Sequence, residues 1–111
     1  MRVLFLGDIV ARSGRTVVSK ELPSLRRALK LDFVVANAEN AAHGFGITEK
    51  ICGELFEIGV DVITGGNHSW DKSEIIPYIA QEKRLLRPLN LPADTPGRGM
   101  GIYVDGSGRK I

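Results

Sequence analysis

Three short apolar segments, separated by segments with helical spacing, constrain the fold of this chain most strongly. The segments are RVLFLGD, DFVVANAEN and VDVIT, and short apolar runs of this kind are typical of strands buried on both faces. Apolar residues recur every three or four positions between them: Val18, Leu22, Leu25 and Leu29, then Ile51, Leu55 and Ile58. The order strand–helix–strand–helix–strand predicts an α/β fold, with βαβ units forming a mostly parallel sheet flanked by helices.

Local signals predict where the helices begin and end. Thr48 is a suitable N-cap for the second helix, and Gly59 is suited to the left-handed position that follows its last turn. Pro23 predicts a kink or break in the first helix, and Pro77 weakens the third helical candidate, DKSEIIPYIAQEK. The segment RLLRPLNLPADTPGRG predicts an extended loop, and MGIYVDGSGRKI predicts a hairpin that turns at DGSG.

Composition narrows the class of protein. The net charge of +2, with basic residues scattered among acidic ones, argues against a stable nucleic-acid complex. The single cysteine, Cys52, excludes an internal disulfide, is expected to be a small buried hydrophobe, and favours the reducing cytoplasm. The apolar N-terminus is too short to span a bilayer and has no cleavage site, so no membrane association is expected. Because the sequence stops in the return strand of the hairpin, we expect residues 1–111 to form a single, incomplete domain.

Polar residues follow each of the three predicted strands. They are Asp8, then Glu39 and Asn40, then Asn67 and His68. Because the carboxyl ends of parallel strands meet at one edge of a sheet, we expect these side chains to share a crevice. Carboxylates at the end of a buried strand need a compensating charge, and oxygen and imidazole ligands suit Mn, Fe, Zn or Mg. The sequence therefore predicts a metal site at this edge.

Each residue also has a simpler interpretation. Asp8 would serve equally as a helix N-cap, Asn40 as a turn residue, and His68 as a structural histidine. His43, in the glycine-rich loop after the second strand, is most simply exposed, and contact with a substrate is the alternative. Trp70 is interpreted as a core residue. Because three strand ends converge, a shared metal site is favoured over these separate interpretations of single residues.

The segments FLGDIV, ANAENAAHGFGIT and GGNHSWDK, in this order, resemble the YmdB-like bacterial branch of the calcineurin-like metallophosphoesterases. The resemblance implies the N-terminal half of an αββα sandwich and hydrolysis of 2′,3′-cyclic nucleotides or other small phosphoesters by a hydroxide that two divalent metal ions activate. Asp8 and Asn40 would then bind the first metal, Glu39 would bridge both metals and Asn67 would bind the second. His68 would act as the general acid.

The resemblance also implies metal ligands that this sequence lacks. The family is expected to need further histidines, whereas no histidine follows His68, and Val10 replaces the histidine of the Asp-x-His element of the wider superfamily. We therefore expect weak metal binding and little hydrolysis from these 111 residues alone. We expect either that the 111 residues are a fragment, or that a homo-oligomer or a second chain supplies the missing ligands. The alternative function is a metal- or nucleotide-binding α/β module without catalysis.

Overall fold

The computed structural model describes all 111 residues, with four strands and three helices alternating along the chain. The elements are β1 (Val3–Leu6), α1 (Ala11–Ala28), β2 (Phe33–Asn37), α2 (Glu49–Glu57), β3 (Val62–Thr64), α3 (Ile75–Gln81) and β4 (Leu85–Leu86). No helix has the length and apolarity needed to cross a membrane. The alternation confirms the predicted α/β class.

The four strands form one parallel sheet in the order β1-β2-β3-β4. The register pairs Leu6 with Ala36 and Ala36 with Ile63, so the strands end at nearly the same level. Consecutive parallel strands that are neighbours need a helix to return the chain, and α1, α2 and α3 are those connections. All carboxyl ends consequently lie along one edge of the sheet, where the loops that carry the predicted site residues begin.

One face of the sheet packs against the helices and forms the core. Val34, Ala36 and Ile63 are fully buried on this face, and Leu22 of α1 and Leu55 of α2 are in the same cluster. The helix ends follow the sequence signals. The Thr48 side chain accepts a hydrogen bond from the backbone N–H of Ile51 at 3.3 Å, and Gly59 has φ +107°. The predicted start and end of α2 are therefore confirmed.

The prediction that β1 is buried on both faces is wrong. Leu4 and Leu6 pack against the core, whereas Val3 and Phe5 remain 51% and 61% exposed. The reason is tertiary, because β1 is an edge strand and nothing in these 111 residues covers its second face there. The apolar face predicted for α1 is likewise covered only in part: Leu22 is buried, while Leu25 and Leu29 are 39% and 46% exposed.

Three further predictions concern Pro23, the extended loop and the C-terminal hairpin. α1 continues through Pro23, so the chain has no break there, and the burial of the neighbouring Leu22 holds the helix on the sheet. The segment predicted to be an extended loop includes a short fourth strand at Leu85–Leu86. The hairpin is confirmed: Tyr103 and Ile111 exchange two backbone hydrogen bonds, and residues 105–108 form its turn.

Candidate active site

Backbone hydrogen bonds fix the loop after β1 against the loop after β2. The N–H of Ile9 donates to the carbonyl of Asn37 at 3.0 Å, and the N–H of Ala11 donates to the carbonyl of Asn40 at 2.9 Å. Ala11 adopts φ +52°, a left-handed conformation that a residue with a Cβ rarely occupies without compensation. These bonds hold the Asp8 loop in a fixed position beside Asn40.

Side-chain hydrogen bonds then join all three strand ends. The Nδ2 of Asn40 donates to the Oδ2 of Asp8 at 2.8 Å, across 32 residues of sequence. The backbone N–H of His68 donates to the Oε2 of Glu39 at 3.1 Å, across 29 residues. Asn67 precedes His68 and is exposed. The structure thus brings the loops of Asp8, Glu39–Asn40 and Asn67–His68 together at one edge of the sheet.

The two glycines after β3, Gly65 and Gly66, make room for protein side chains. A Cβ on Gly66 would lie 2.1–2.3 Å from the carboxylate atoms of Glu39, so that carboxylate rests directly on the glycine. A Cβ on Gly65 would lie 2.1 Å from the Oγ of Ser69. That hydroxyl accepts from the N–H of Gly66 and donates to the Gly66 carbonyl. Gly66 therefore sets the position of Glu39.

The Oδ1 of Asn40 is a buried acceptor that has no hydrogen-bond partner, although the Nδ2 of the same amide is bonded to Asp8. A buried acceptor without a donor is unfavourable by about 1–3 kcal/mol unless a cation or water occupies it. No three His, Cys, Asp or Glu side chains converge anywhere in the chain. The unpartnered amide oxygen of Asn40 lies beside the Asp8 carboxylate, and oxygen donors of these two kinds are the ones that hard divalent cations accept.

His68 has a partner that the sequence reasoning did not identify. The Nδ1 of His68 lies 2.5 Å from the Oδ2 of Asp71, and both side chains are more than one third exposed. The signal was present in the sequence, because an Asp three residues after a His in a turn can reach back to its ring. This contact orients the imidazole and leaves Nε2 as the nitrogen available to another molecule.

Similarity to known proteins identifies the family. The model of the family described as YmdB-like protein matches residues 4–111, almost the whole chain. The chain belongs to the YmdB-like family.

Its relatives agree in sequence and in fold. A Bacillus subtilis protein named 2′,3′-cyclic-nucleotide 2′-phosphodiesterase is 47% identical over 111 residues, which is all of this chain and 42% of that protein. The crystal structure of a hypothetical protein from Thermus thermophilus superposes with a TM-score of 0.91 at 42% identity, over 99% of this chain and 42% of that one. The crystal structure of a Mycoplasma pneumoniae phosphatase superposes with a TM-score of 0.85 at 35% identity, over 91% of this chain and 37% of that one. The chain spans about two fifths of these relatives.

Three further residues of this YmdB-like chain, His43, Trp70 and Cys52, differ in how far they are exposed. His43 is exposed, with φ +56°, in the loop that follows Asn40. Trp70 is partly buried against the core, as predicted. Cys52 is fully buried, and burial raises the pKa of its thiol to about 12, so no thiolate is available at neutral pH. A cavity of about 520 Å³ between α1 and α2 shares no residue with the strand-end crevice.

Proposed function

We propose that the strand-end crevice is part of the active site of a metal-dependent phosphodiesterase that hydrolyses 2′,3′-cyclic nucleotides. The observation that carries the proposal is that Asn40 and Glu39 join three separate strand ends, Asn40 to Asp8 and Glu39 to His68, while the Oδ1 of Asn40 is left buried without a partner. The name of the Bacillus subtilis relative supports the substrate class. We also propose the cytoplasm as the compartment, since the only thiol is buried and no disulfide is possible.

The side chains would divide the work of binding. Asp8 and the Oδ1 of Asn40 would hold one cation, Asn67 would hold a second, and Glu39 would contribute to both. The hydrogen bond from the Nδ2 of Asn40 to Asp8 supports this division, because it holds the two side chains next to each other while Oδ1 remains without a donor. When bound, two divalent cations would supply activation of a water nucleophile and neutralise charge on the phosphoryl oxygens.

His68 would protonate the leaving ribose oxygen from its Nε2. Asp71 supports this role because it holds Nδ1 at 2.5 Å and thereby fixes both the ring orientation and the nitrogen that faces the substrate. The backbone of His68 is in turn tied to Glu39. A change in the position of the metal-binding carboxylate would therefore also shift the proton donor.

Substitution of Glu39 tests the proposal. We expect Glu39→Gln to weaken Mn²⁺ binding by the chain at least about tenfold, because the neutral amide removes a charged ligand while preserving the side-chain shape. The measurement is isothermal titration calorimetry with MnCl₂ under identical conditions. Glu57→Gln is the matched control, since Glu57 is an exposed carboxylate of α2 outside the crevice and should leave the affinity unchanged.

Two results would count against the proposal. Equal Mn²⁺ affinity for the wild-type chain and the Glu39→Gln variant would remove Glu39 from the site. Absence of divalent-cation binding even when the remaining length of the relatives is supplied would remove the metal site altogether. A third result would favour the non-catalytic binding module. In that case metal binding depends on Glu39, but no hydrolysis occurs even when the remaining length of the relatives is supplied.

A further inference from the structure

The loop after β2 forms a second structural feature beside the crevice. Residues 41–46 fold back on themselves through hydrogen bonds between Ala42 and Gly46, and from the N–H of Phe45 to the carbonyl of Ala42. Three of these residues have positive φ: His43 at 56°, Gly44 at 97° and Gly46 at 78°. A tight, defined loop of this kind presents the residue at its tip in one orientation.

The residue presented by the loop is an aromatic one. Phe45 is 47% exposed, although burying a phenyl ring is favourable by about 1.5–3 kcal/mol. Its neighbour is a cation: the Nζ of Lys72 lies 4.0 Å from the ring centroid. The chain has a second such pair, Arg84 over Phe56 at 3.8 Å, but that ring packs against the core. Phe45 therefore differs in offering a π-face to solvent.

Contacts tie Phe45 to the proposed proton donor. A Cβ on Gly46 would lie 2.9 Å from the Cγ of Lys72 and 3.3 Å from the Cβ of Asp71, so the loop packs closely on these two residues. Asp71 in turn contacts the His68 ring. The aromatic loop, the lysine and Asp71 thus form one continuous contact path that leads to the imidazole of His68.

We propose that Phe45 is the stacking surface for the base of a nucleotide substrate, and that Lys72 holds the ring from the opposite side. This inference rests on the proposed function, because the phosphoester must lie near Glu39 and His68 for the base to reach Phe45. A flat, exposed π-face stacks on any base, since every base has a π-face of its own. The ammonium group of Lys72 is attracted to the face of the phenyl ring that it covers, which holds the ring in place while the other face takes a base.

The proposal makes Phe45 a specificity residue for substrates that carry a base. It contributes no group to the metals or to the proton transfer, so a phosphoester without a base should bind independently of it. Stacking of one base on an aromatic side chain is worth a factor of about 5 to 100 in affinity. That difference is large enough to be measured by direct binding.

The test uses the 111-residue chain and its single tryptophan, Trp70, which lies two residues after His68 and reports binding by fluorescence. Two probes are titrated in the presence of Mg²⁺: adenosine 2′,3′-cyclic phosphate and the base-free methyl riboside 2,3-cyclic phosphate. Phe45→Leu keeps an apolar side chain but removes the π-face. Phe56→Leu is the matched control, because it removes the ring of the other cation–π pair outside the crevice.

We expect Phe45→Leu to weaken binding of the adenosine probe about 5- to 100-fold and to leave the base-free probe within twofold of wild type. Phe56→Leu should bind both probes as the wild type does. Unchanged adenosine affinity in Phe45→Leu, or equal losses for both probes, would overturn the role of Phe45 while leaving the proposed function intact. A wild-type chain that binds neither probe would overturn the proposed function for this chain, and the role of Phe45 with it.

Discussion

At the scale of single residues, one glycine determines where a carboxylate can lie. Glu39 rests on the α-carbon of Gly66, and its Oε2 accepts from the backbone of His68. The Oδ1 of Asn40, one residue further, is buried without a donor. The position of the site carboxylate therefore depends on the absence of a side chain two residues before His68.

Replacement of Gly66 should change Mn²⁺ affinity strongly and the free energy of unfolding only slightly. Gly66→Ala would place a Cβ within 2.3 Å of the Glu39 carboxylate, but that carboxylate is the end of a flexible side chain and can swing away. We expect the free energy of unfolding to change by less than about 1 kcal/mol, while Mn²⁺ affinity falls at least about tenfold because a ligand is displaced. Urea denaturation and calorimetric titration measure the two quantities.

Gly53→Ala provides the control for this change. Gly53 lies in α2 with no atom within 4 Å of an added Cβ, so alanine there should stabilise the helix by about 1 kcal/mol without affecting Mn²⁺ binding. Retention of full Mn²⁺ affinity in Gly66→Ala would show that the Glu39 carboxylate is not a ligand in the position it occupies here.

At the scale of elements, the least expected feature is the continuity of α1. The helix runs for 18 residues with Pro23 in its interior, and the buried Leu22 precedes that proline. A proline there leaves the carbonyl four residues earlier, that of Ser19, without its helical donor. Ser19 is exposed, so water can satisfy this carbonyl. Core packing of Leu22 thus holds together a helix that local propensity disfavours.

We accordingly expect Pro23→Ala to stabilise the chain by about 2 kcal/mol. The substitution restores one helical hydrogen bond and removes a steric clash, which together stabilise the helix by about 3 kcal/mol. It also gives up the stabilisation of about 0.4–1 kcal/mol that proline provides by restricting the unfolded chain. Urea denaturation followed by circular dichroism measures the change. Lys20→Ala, an exposed substitution in the same helix, should alter stability by only a few tenths of a kcal/mol. A destabilised Pro23→Ala would mean that the proline ring contributes more packing than it costs.

At the scale of the whole molecule, a carboxylate cluster joins the C-terminal hairpin to the sheet. Asp105 accepts from the backbone N–H groups of Ser107 and Arg109 at 2.8 and 2.9 Å and pairs with the Nε of Arg109 at 2.7 Å. The Nη2 of Arg109 also contacts Asp32, just before β2, at 2.7 Å. The backbone bond from Arg109 is the main reason that the pKa of Asp105 lies below its ordinary value of 3.8.

The lowered pKa of Asp105 determines how the stability of the chain depends on pH. Because the pKa of Asp105 is lower in the folded chain, its contribution to stability is complete above about pH 4 and is lost as the pH falls through the folded value. We expect Asp105→Asn to lower the urea midpoint at pH 6 and to reduce the further loss between pH 6 and pH 3. The exposed Asp94→Asn should keep the wild-type pH profile. An identical profile for Asp105→Asn would exclude Asp105 as a source of acid lability.

The sequence by itself determined the alternation of strands and helices, the cap of α2 and the three polar loops that carry Asp8, Glu39–Asn40 and Asn67–His68. These features depend on periodicity and on nearest neighbours, which a linear pattern records. The topology rule for parallel sheets then predicted that the loops meet, and side-chain contacts across 29 and 32 residues bear this out.

Only the tertiary structure decided how the site is built. The exposure of Val3 and Phe5 follows from the edge position of β1, and β4 pairs with β3 over only two residues, too few for a pattern. The Glu39–Gly66 contact depends on the register between β2 and β3, and the approach of Lys72 to Phe45 depends on how two distant loops pack. Register is a property of packing between distant segments, so no local pattern could have revealed it.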